Sequence, residues 1–233
     1  MLSGLEIQLL QQGGIKVEHA GTPETVREAQ ALRYRVFCLE RGTFAVTPGQ
    51  TIDCDEFDHR AQHVLLRRCG DREVVGTARV VPGSVERGAN CLPLQRYCTP
   101  SIFRGVDMGS IGEISRFAIS KQARGEGGQS GALLRLGLLR GILQASQDIG
   151  LTHWCALMEP SLLRLLQATG VHFAHLGDLV QAYGWRRPCI ARIDLTLARG
   201  KRARPDFYDL IAGGVAASFA EERQTRPVSG RVA

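Results

Sequence analysis

Charged residues inside apolar, strand-forming runs constrain the fold of this chain more than any other feature. Glu113 and Arg116 lie in Gly112-Glu-Ile-Ser-Arg-Phe-Ala-Ile-Ser120, and Arg79 lies in Glu73-Val-Val-Gly-Thr-Ala-Arg-Val-Val81. An unpaired charge inside a protein is costly, so each of these side chains needs a partner or a ligand. Any fold of the chain must therefore supply each of these charges with an opposite charge or a ligand.

The candidate partners stand in an acidic loop. Residues Glu40 to Asp58 are rich in Gly, Thr, Pro and Asp and end in Asp53-Cys-Asp-Glu-Phe-Asp58. One interpretation is an internal salt-bridge network that joins the strands carrying Arg79 and Arg116 to this loop. Arg33, Asp55 and Asp58 are further charged residues that need a partner or a ligand. The alternative is a functional site in which a buried Glu113 of raised pKa deprotonates an amine.

Periodicity and turn residues predict an α+β chain with one mixed sheet and helices packed on it. The strand from Gly112 to Ser120 places Glu113 and Arg116 on opposite faces unless a bulge intervenes. The predicted elements are a helix Pro23–Phe37 capped by Thr22, a hairpin of His63–Arg67 and Glu73–Val81, a strand 112–120, a Gly-rich turn 124–131, a helix 132–148, a strand 152–158, a helix 160–169 and strands 171–175 and 188–194.

The Gly-rich segment before the long helix is a candidate phosphate site. Gln122-Ala-Arg-Gly-Glu-Gly127 precedes a helix, where backbone N–H groups bind a phosphate or pyrophosphate. A flexible loop between strand and helix has equal weight.

The cysteines and histidines indicate neither a disulfide framework nor a metal site. Seven cysteines are scattered without a Cys-x-x-Cys pair, and His153, His172 and His175 lack ligand spacing. Cys155 is expected to be an inert buried thiol. With no secretory signal and no run of about 20 uninterrupted apolar residues, we expect a cytoplasmic protein.

A net charge of +6 attracts phosphates, acidic proteins or an anionic membrane surface. Part of this charge forms a basic cluster, Arg199 to Arg204, for which a solvated tail is the default interpretation and lipid or nucleic-acid contact the alternative. Nucleic-acid binding is disfavoured because aromatic residues make up only 6% of the chain and no nucleic-acid motif is present. A helix is predicted from Asp206 to Arg223.

These segments resemble two related groups of acyltransferases. The chain resembles the acyl-homoserine-lactone (autoinducer) synthases in Leu32-Arg-Tyr-Arg-Val-Phe37, Asp55-Glu-Phe-Asp58, Val75-Gly-Thr-Ala-Arg79 and Glu113-Ile-Ser-Arg-Phe-Ala-Ile119. Residues 150–166, followed by Gly170-Val-His-Phe, look more like the acyltransferases associated with the PEP-CTERM/exosortase system, which are similar to N-acyl amino acid synthases.

The resemblance implies a GNAT fold, a mixed twisted sheet with helices on both faces and two splayed central strands. The resemblance covers roughly residues 25–195, and we expect the GNAT-like acyltransferase domain to extend over 1–200. It leaves the basic tail over 201–233 unexplained, and the composition of that tail predicts one helix and partial disorder. The active-site positions that the resemblance carries over are Arg33, Asp55, Asp58, Arg79, Glu113 and Arg116, with Glu113 as the base. The residues expected to bind the donor are Phe117, Ile119, Gln122, Arg124, Gly125, Gly127 and Cys155.

The implied reaction moves a fatty acyl group from a thioester to a free amine, without a permanently bound cofactor or a metal. The donor would be acyl-carrier protein or acyl-CoA, and Arg124 and its neighbours would steer an acidic carrier protein. An amino acid is the expected acceptor because no sequence feature supplies an S-adenosylmethionine pocket. The alternatives are an acyl-homoserine-lactone signal synthase and a non-catalytic acyl-thioester or lipid-binding module.

Overall fold

The computed structural model describes residues 14–86, 91–125 and 128–213, apart from the side chains of 100, 101 and 128–130. The strands of these segments are β1 (Ile15–His19), β2 (Gln62–Arg68), β3 (Val74–Pro82), β4 (Ile111–Ile119), β5 (His153–Met158), β6 (Ala174–His175), β7 (Val180–Gln181) and β8 (Trp185–Arg192). The α-helices are α1 (Pro23–Tyr34), α2 (Lys121–Gly125), α3 (Gly128–Asp148), α4 (Pro160–Ala168), α5 (Ile193–Ala203) and α6 (Pro205–Ala212).

One mixed sheet organises the fold, in the order β1-β2-β3-β4-β5-β8-β6, with β7 paired to β8. The pairings are antiparallel except for that of β4 with β5, which is parallel. The predicted α+β class and its mixed sheet are confirmed. The hairpin, the strand that carries Glu113 and the strand that follows α3 also lie where the sequence placed them.

Helices cover both faces of the sheet because successive side chains of a strand alternate between faces. On β2, Val64 and Leu66 pack in the cluster that includes α3, whereas Leu65 packs with Leu32 of α1. The helix α3 approaches β1 and β2 closely at Gly141, where a Cβ atom would lie 2.3 Å from Val64 Cγ1. Close packing of helix on sheet explains a glycine inside a helix.

The first helix begins as the sequence predicted but continues in a different form. Thr22 and Thr25 form a reciprocal capping box, and Pro23 occupies the first turn. Beyond Tyr34 the chain continues as a π-helical segment, Arg35–Glu40, so the helical structure ends three residues later than the predicted Phe37. π-helical turns occur frequently at functional sites.

Three predictions were wrong in detail. The Gly-rich turn 124–131 is largely helical, because α2 includes Gly125 and α3 begins at Gly128. The strand predicted at 171–175 pairs only at Ala174–His175, and the strand predicted at 188–194 begins earlier, at Trp185, and gives way to α5 at Ile193. The alternating patterns of β1 and β7 were too short to detect.

The C-terminal segment packs against the domain over its described part. The expected boundary at residue 200 falls inside α5, and α6 contacts α3 and α5. Part of the basic cluster is bound there, since Arg204 Nη1 donates to the Ala168 carbonyl at 3.0 Å. Residues 214–223 of the predicted tail helix lie outside the described residues.

None of the helices in the described segments is long and apolar enough to span a membrane.

Replacing Gly141 by alanine is expected to destabilise the protein by about 1–3 kcal/mol, because the new methyl group would overlap Val64. Gly131→Ala is the matched control in the same helix, since its Cβ would meet only the end of the Arg135 side chain, with Nη1 at 3.5 Å and Nη2 at 3.9 Å. That change should be neutral or stabilising by up to about 1 kcal/mol through helix propensity. Chemical denaturation of both variants measures this, and equal stability would contradict the close approach.

Candidate functional site

A buried cluster of three arginines and three aspartates joins α1, the acidic loop, β3 and β4. We call it the Arg–Asp network, and its members are Arg33, Asp53, Asp55, Asp58, Arg79 and Arg116. Its formal charges cancel. Burial of charge is tolerable only when each ion is paired and hydrogen-bonded, and this cluster meets that condition.

Arg33 anchors α1 to the loop. Its fully buried guanidinium donates from Nε to Asp53 Oδ2 at 2.8 Å and from Nη1 to Asp58 Oδ1 at 2.8 Å. Nη2 donates to the Asp53 carbonyl and to Asp58 Oδ2 at 2.6 and 3.0 Å. Every nitrogen of the guanidinium is thus engaged by the loop.

Arg79 makes the corresponding connection from β3. It is also fully buried, and its Nη1 donates to Asp55 Oδ1 at 2.6 Å and to Asp58 Oδ1 at 2.7 Å. Nη2 donates to Asp55 Oδ2 at 3.0 Å, and Nε donates to the Ser115 hydroxyl of β4 at 3.1 Å. The loop is consequently fixed across two neighbouring strands.

A β-bulge brings Arg116 to the same side of the sheet. Ser115 pairs with Arg79 and Ala118 with Thr77, so β4 holds one more residue than β3 between these pairs. Arg116 occupies this step in a left-handed conformation, with φ of 55°. The structure thus contains the bulge that the sequence analysis required for Glu113 and Arg116 to face the same region.

The bulge directs the Arg116 guanidinium to the acidic loop. Its Nε donates to Asp53 Oδ2 at 2.7 Å and its Nη2 to Asp55 Oδ2 at 3.2 Å. The guanidinium also lies 4.8 Å from the ring centroid of Phe44, within cation–π distance. Asp53, which the sequence analysis did not select, therefore joins Arg33 to Arg116.

The network holds Asp55 and Asp58 in the charged form. Burial raises the pKa of Asp58, but the hydrogen bond and charge of Arg33 outweigh it, and the pKa falls well below its usual range. The pKa of Asp55 is lowered in the same way, with Arg79 outweighing burial. These groups remain ionised at neutral pH and are unsuited to accept a proton from an amine.

The pKa of Glu113 is shifted in the opposite direction. Its side chain is buried beside the network, and one carboxyl oxygen accepts the Leu94 backbone N–H at 2.7 Å. Burial raises its pKa to about 8, while the Leu94 N–H and the charges of Arg79 and Arg116 oppose the shift. A carboxyl group that titrates near neutral pH is suited to exchange protons with a substrate.

The two central strands separate immediately beyond Glu113. Residues 111–113 of β4 pair with 153–155 of β5, and no pair joins the two strands farther along their described length. A cavity of about 380 Å³ lies between the separated ends, bounded by Ile114–Ile119 on one side and Ala156–Glu159 on the other. The predicted splay of these strands is confirmed.

The lining of the large cavity combines apolar and basic side chains. Its inner wall is apolar and comes from α3, α4 and the segment before β6, with Leu139, Ile142, Leu162, Leu166 and Phe173. Its other lining includes basic residues, namely Arg41, Arg124, Arg135 and Arg186. The cavity can thus hold an apolar chain together with an anionic or polar group.

A small cavity of about 120 Å³ lies beside the large one and contains Glu113 in its wall. The two cavities share part of their lining, which comprises Ile114, Ser115, Arg116, Leu157 and Arg186. Aromatic rings of Phe37, Phe44, Tyr97 and Tyr183 form much of the remaining wall. Phe44 and Tyr183 meet edge to face at 4.7 Å, and Tyr97 and Tyr183 at 5.8 Å.

Sequence reasoning missed Tyr97 and Tyr183 of this aromatic group because they come from unpatterned segments. Tyr97 lies in the connection before β4, and Tyr183 lies in the turn between β7 and β8, with φ of 55°. Burial and the neighbouring Tyr183 raise the pKa of Tyr97 to about 12, so its hydroxyl keeps its proton.

The expected donor-binding residues divide into two groups. Phe117, Ile119 and Arg124 line the large cavity. Gln122 and Gly125 are exposed on α2 and are absent from its described lining, and Gly127 lies outside the described residues. Arg124 Nη2 lies 3.5 Å from Glu40 Oε2, which also accepts the Lys121 N–H.

The assignment of Cys155 to the donor groove was wrong. Cys155 forms the last β5 pair with Glu113, before the strands separate, and its fully buried side chain packs with Cys91 and Leu92. Burial raises the pKa of its thiol well above the usual range, which fits the expectation of an inert cysteine.

One histidine lies against the Arg–Asp network. His63 is buried near the network with Nε2 3.2 Å from the Asp58 carbonyl oxygen, and burial lowers its pKa. Within the described ranges, no group of three or more His, Cys, Asp or Glu side chains is arranged to hold a metal ion.

Comparison with known proteins places these features in a recognised fold. Residues 32–133 match the family model described as an acetyltransferase (GNAT) domain, a range that contains the whole Arg–Asp network and Glu113. Comparison with curated protein sequences gives no match.

Similar solved structures include BjaI, a CoA-dependent acyl-homoserine lactone synthase, solved with MTA, with a TM-score of 0.65 and 19% identity over 89% of this chain and 100% of that chain. TofI, solved in a ternary complex with an inhibitor and MTA, gives a TM-score of 0.62 and 21% identity over 84% of this chain and 96% of that chain. FeeM, an N-acyl amino acid synthase from uncultured soil microbes, gives a TM-score of 0.58 and 13% identity, over 79% of this chain and 93% of that chain. The chain therefore has the GNAT fold that the sequence resemblance implied.

Asp58→Asn is expected to lower the free energy of unfolding by about 3–5 kcal/mol at pH 7, because it leaves Arg33 and Arg79 short of one buried negative charge. Asp206→Asn is the control, since the Arg204–Asp206 pair is exposed and should contribute nothing measurable. Denaturant titrations measure both effects.

The loss of stability at acid pH provides a second test of Asp58. The folded-state pKa of Asp58 lies below the unfolded value of about 3.9, so its stabilisation is present above that pH and is lost as pH falls. The wild type should lose stability more steeply than Asp58→Asn as pH falls below about 4. Parallel acid profiles would contradict the role assigned to this carboxylate.

Proposed function

We propose that the protein is an N-acyltransferase that moves a fatty acyl group from a thioester donor to the amine of an amino acid or a similar small acceptor. The observation that carries this proposal is the meeting of two cavities of different character beside Glu113, whose pKa is about 8. A reaction between two substrates needs adjoining sites, and removal of an amine proton needs a base at their junction.

The large cavity suits the donor. Its apolar wall can accommodate an acyl chain, and Arg124 and Arg135 favour the phosphate of a phosphopantetheine arm or of CoA. Along the separated strands, the cavity edge of β4 beyond Glu113 is not paired with β5, so its backbone groups face the cavity. An extended pantetheine arm carries amides that can hydrogen-bond to such an edge.

The small cavity suits the acceptor. An amine held there would face Glu113 on one side and the thioester carbonyl at the shared lining on the other. The nitrogen attacks the carbonyl carbon, a C–N bond forms, and the proton of the ammonium intermediate passes to the Glu113 carboxylate. The C–S bond then breaks as the amide product forms, and the leaving thiolate takes up the proton that Glu113 accepted, which returns Glu113 to its carboxylate form.

Charge that develops on the carbonyl oxygen needs hydrogen-bond donors in place. The bulge at Arg116 exposes the backbone of β4 where the strands separate, and its N–H groups are the proposed donors. The Arg116 side chain has a different role, because Asp53 and Asp55 already engage it. Arg33, Arg79, Asp55 and Asp58 likewise position the site and do not contact substrate.

The similar structures support acyl transfer and leave a second candidate. BjaI, solved with SAM and isopentyl-CoA, is a CoA-dependent acyl-homoserine lactone synthase, and FeeM is an N-acyl amino acid synthase. A lactone signal synthase of the same fold is therefore the alternative function. Mass spectrometry of lipids from cells that overproduce the protein separates the two by product, an N-acyl amino acid or an acyl lactone.

Glu113→Gln is expected to lower kcat/KM for acyl transfer about 10²–10⁴-fold, because the amide cannot accept a proton. Glutamine resembles the protonated carboxyl and can still accept the Leu94 N–H, so the variant should fold with wild-type stability. Glu73→Gln is the control, since Glu73 pairs with Arg35 and Arg68 away from both cavities.

The pH dependence tests the same role. Deprotonated Glu113 becomes available as pH rises through about 8, so the ratio of wild-type to Glu113→Gln kcat/KM should rise up to that pH and then level off. Taking the ratio removes the titration of the acceptor amine, which both proteins share. A ratio that is independent of pH would contradict Glu113 as the base.

The basic residues that line the large cavity allow a test of the donor class. If the donor arm is delivered by an acidic carrier protein, Arg124→Glu combined with Arg135→Glu should weaken binding of the acylated carrier protein at least tenfold, with the loss reduced at high salt. Surface plasmon resonance at two salt concentrations measures this. Unchanged affinity would show that this surface is not the docking face.

A further inference from the structure

The two cavities share two cationic side chains, and these differ in how their charge is balanced. Arg116 belongs to the neutral Arg–Asp network and contacts Asp53 and Asp55. Arg186 lies outside that network, on β8, and lines both cavities. Its side chain is 18% exposed, so its charge is largely removed from solvent.

Arg186 shares one carboxylate with another arginine. Its Nη2 lies 3.1 Å from Glu159 Oε1, while Arg41 Nη2 donates to both oxygens of the same group at 2.9 and 3.2 Å. This arrangement, the Arg41–Glu159–Arg186 cluster, has two positive charges and one negative charge. It retains a formal charge of +1 at the edge of the proposed reaction site.

The geometry points to Arg186 as the residue that binds the carboxylate of an amino acid acceptor. This inference rests on the proposed function and specifies how the small cavity selects its substrate. Glu113 and Arg186 both line that cavity, so an α-amino acid can direct its amine to Glu113 and its carboxylate to Arg186. The bound carboxylate would bring the cluster to neutrality.

A guanidinium suits this task because its planar donors match the two oxygens of a carboxylate. The contact with Glu159 holds Arg186 in place, so binding requires little further ordering of the side chain. The arginines of the Arg–Asp network are each balanced by aspartates. Arg186 instead shares Glu159 with Arg41, and its Nη1 donates to the neutral Trp185 carbonyl at 3.1 Å.

The remaining wall limits the acceptor side chain. Phe44, Tyr97 and Tyr183 present apolar ring surface, and the volume of about 120 Å³ is below the range of about 300–1,000 Å³ usual for drug-sized ligands. The small cavity therefore favours a compact acceptor with an apolar side chain and disfavours one with a second charged group.

The test compares acids with their amides. The standard protein amino acids are screened as acceptors with the wild-type protein, and the best one is then compared with its primary amide, which keeps the amine and side chain but has no carboxylate. In Arg186→Gln, KM for the acid should rise about 10–100-fold, the usual range for loss of a charged hydrogen-bond partner. KM for the amide and for the acyl donor should change less than threefold.

Two further variants sharpen the comparison. Arg186→Lys keeps the charge but lacks the planar pair of donors, so it should restore only part of the preference for the acid. Arg187→Gln is the matched control on the same strand, because Arg187 contacts the Gly177 carbonyl and Asp178 and lines neither cavity. It should leave the preference between acid and amide unchanged.

Equal losses on acid and amide, or a rise confined to the donor KM, would overturn the assignment of Arg186. Absence of acyl transfer by the wild type to any amine would instead count against the proposed function. In that case, calorimetric titration of the same amino acids and amides into wild type and Arg186→Gln still tests carboxylate binding. Binding of the acid that is equal in the two proteins, or undetectable in the wild type, would overturn it.

Discussion

The neutral pairing of three arginines, two of them fully buried, with three aspartates is the interaction on which the rest of the site depends. Arg33 and Arg79 are fully buried, and neither could remain so without the acidic loop. Because their partners come from one loop, that loop is fixed over β3 and β4 and bounds the region where the strands separate. The network thus converts a stretch with no regular structure over most of its length into a rigid part of the site.

The opposite pKa shifts of the neighbouring carboxylates follow from this pairing. Asp55 and Asp58 receive guanidinium donors and keep lowered pKa values, whereas Glu113 is buried beside them with a backbone N–H as its hydrogen-bond donor. One group of acids therefore maintains the architecture, and the remaining acid can exchange a proton near neutral pH. Environment distinguishes their roles although their chemistry is the same.

The sequence predicted those parts of the fold and site that depend on strong local signals. Charges within apolar runs identified Arg79, Glu113 and Arg116, and the Thr22–Pro23 pair marked the start of α1. Asp53 was not selected because nothing in its own segment distinguishes it from an ordinary loop acid. Arg186, Tyr97 and Tyr183 were missed because only tertiary packing brings them to Glu113, and Cys155 was misplaced because the point of strand separation depends on register.

The short pairing of β4 with β5 leaves the sheet unfinished on its inner side. Three residue pairs join its two halves, and beyond them each strand presents an edge to the large cavity. Exposed strand edges normally promote aggregation. The unpaired edges of β4 and β5 lie inside the molecule, where a narrow, extended ligand can reach them. A thioester arm lying there would act as a transient strand, so the ligand would complete the secondary structure of the protein. The binding free energy of the ligand would then stabilise the association of the two halves of the sheet.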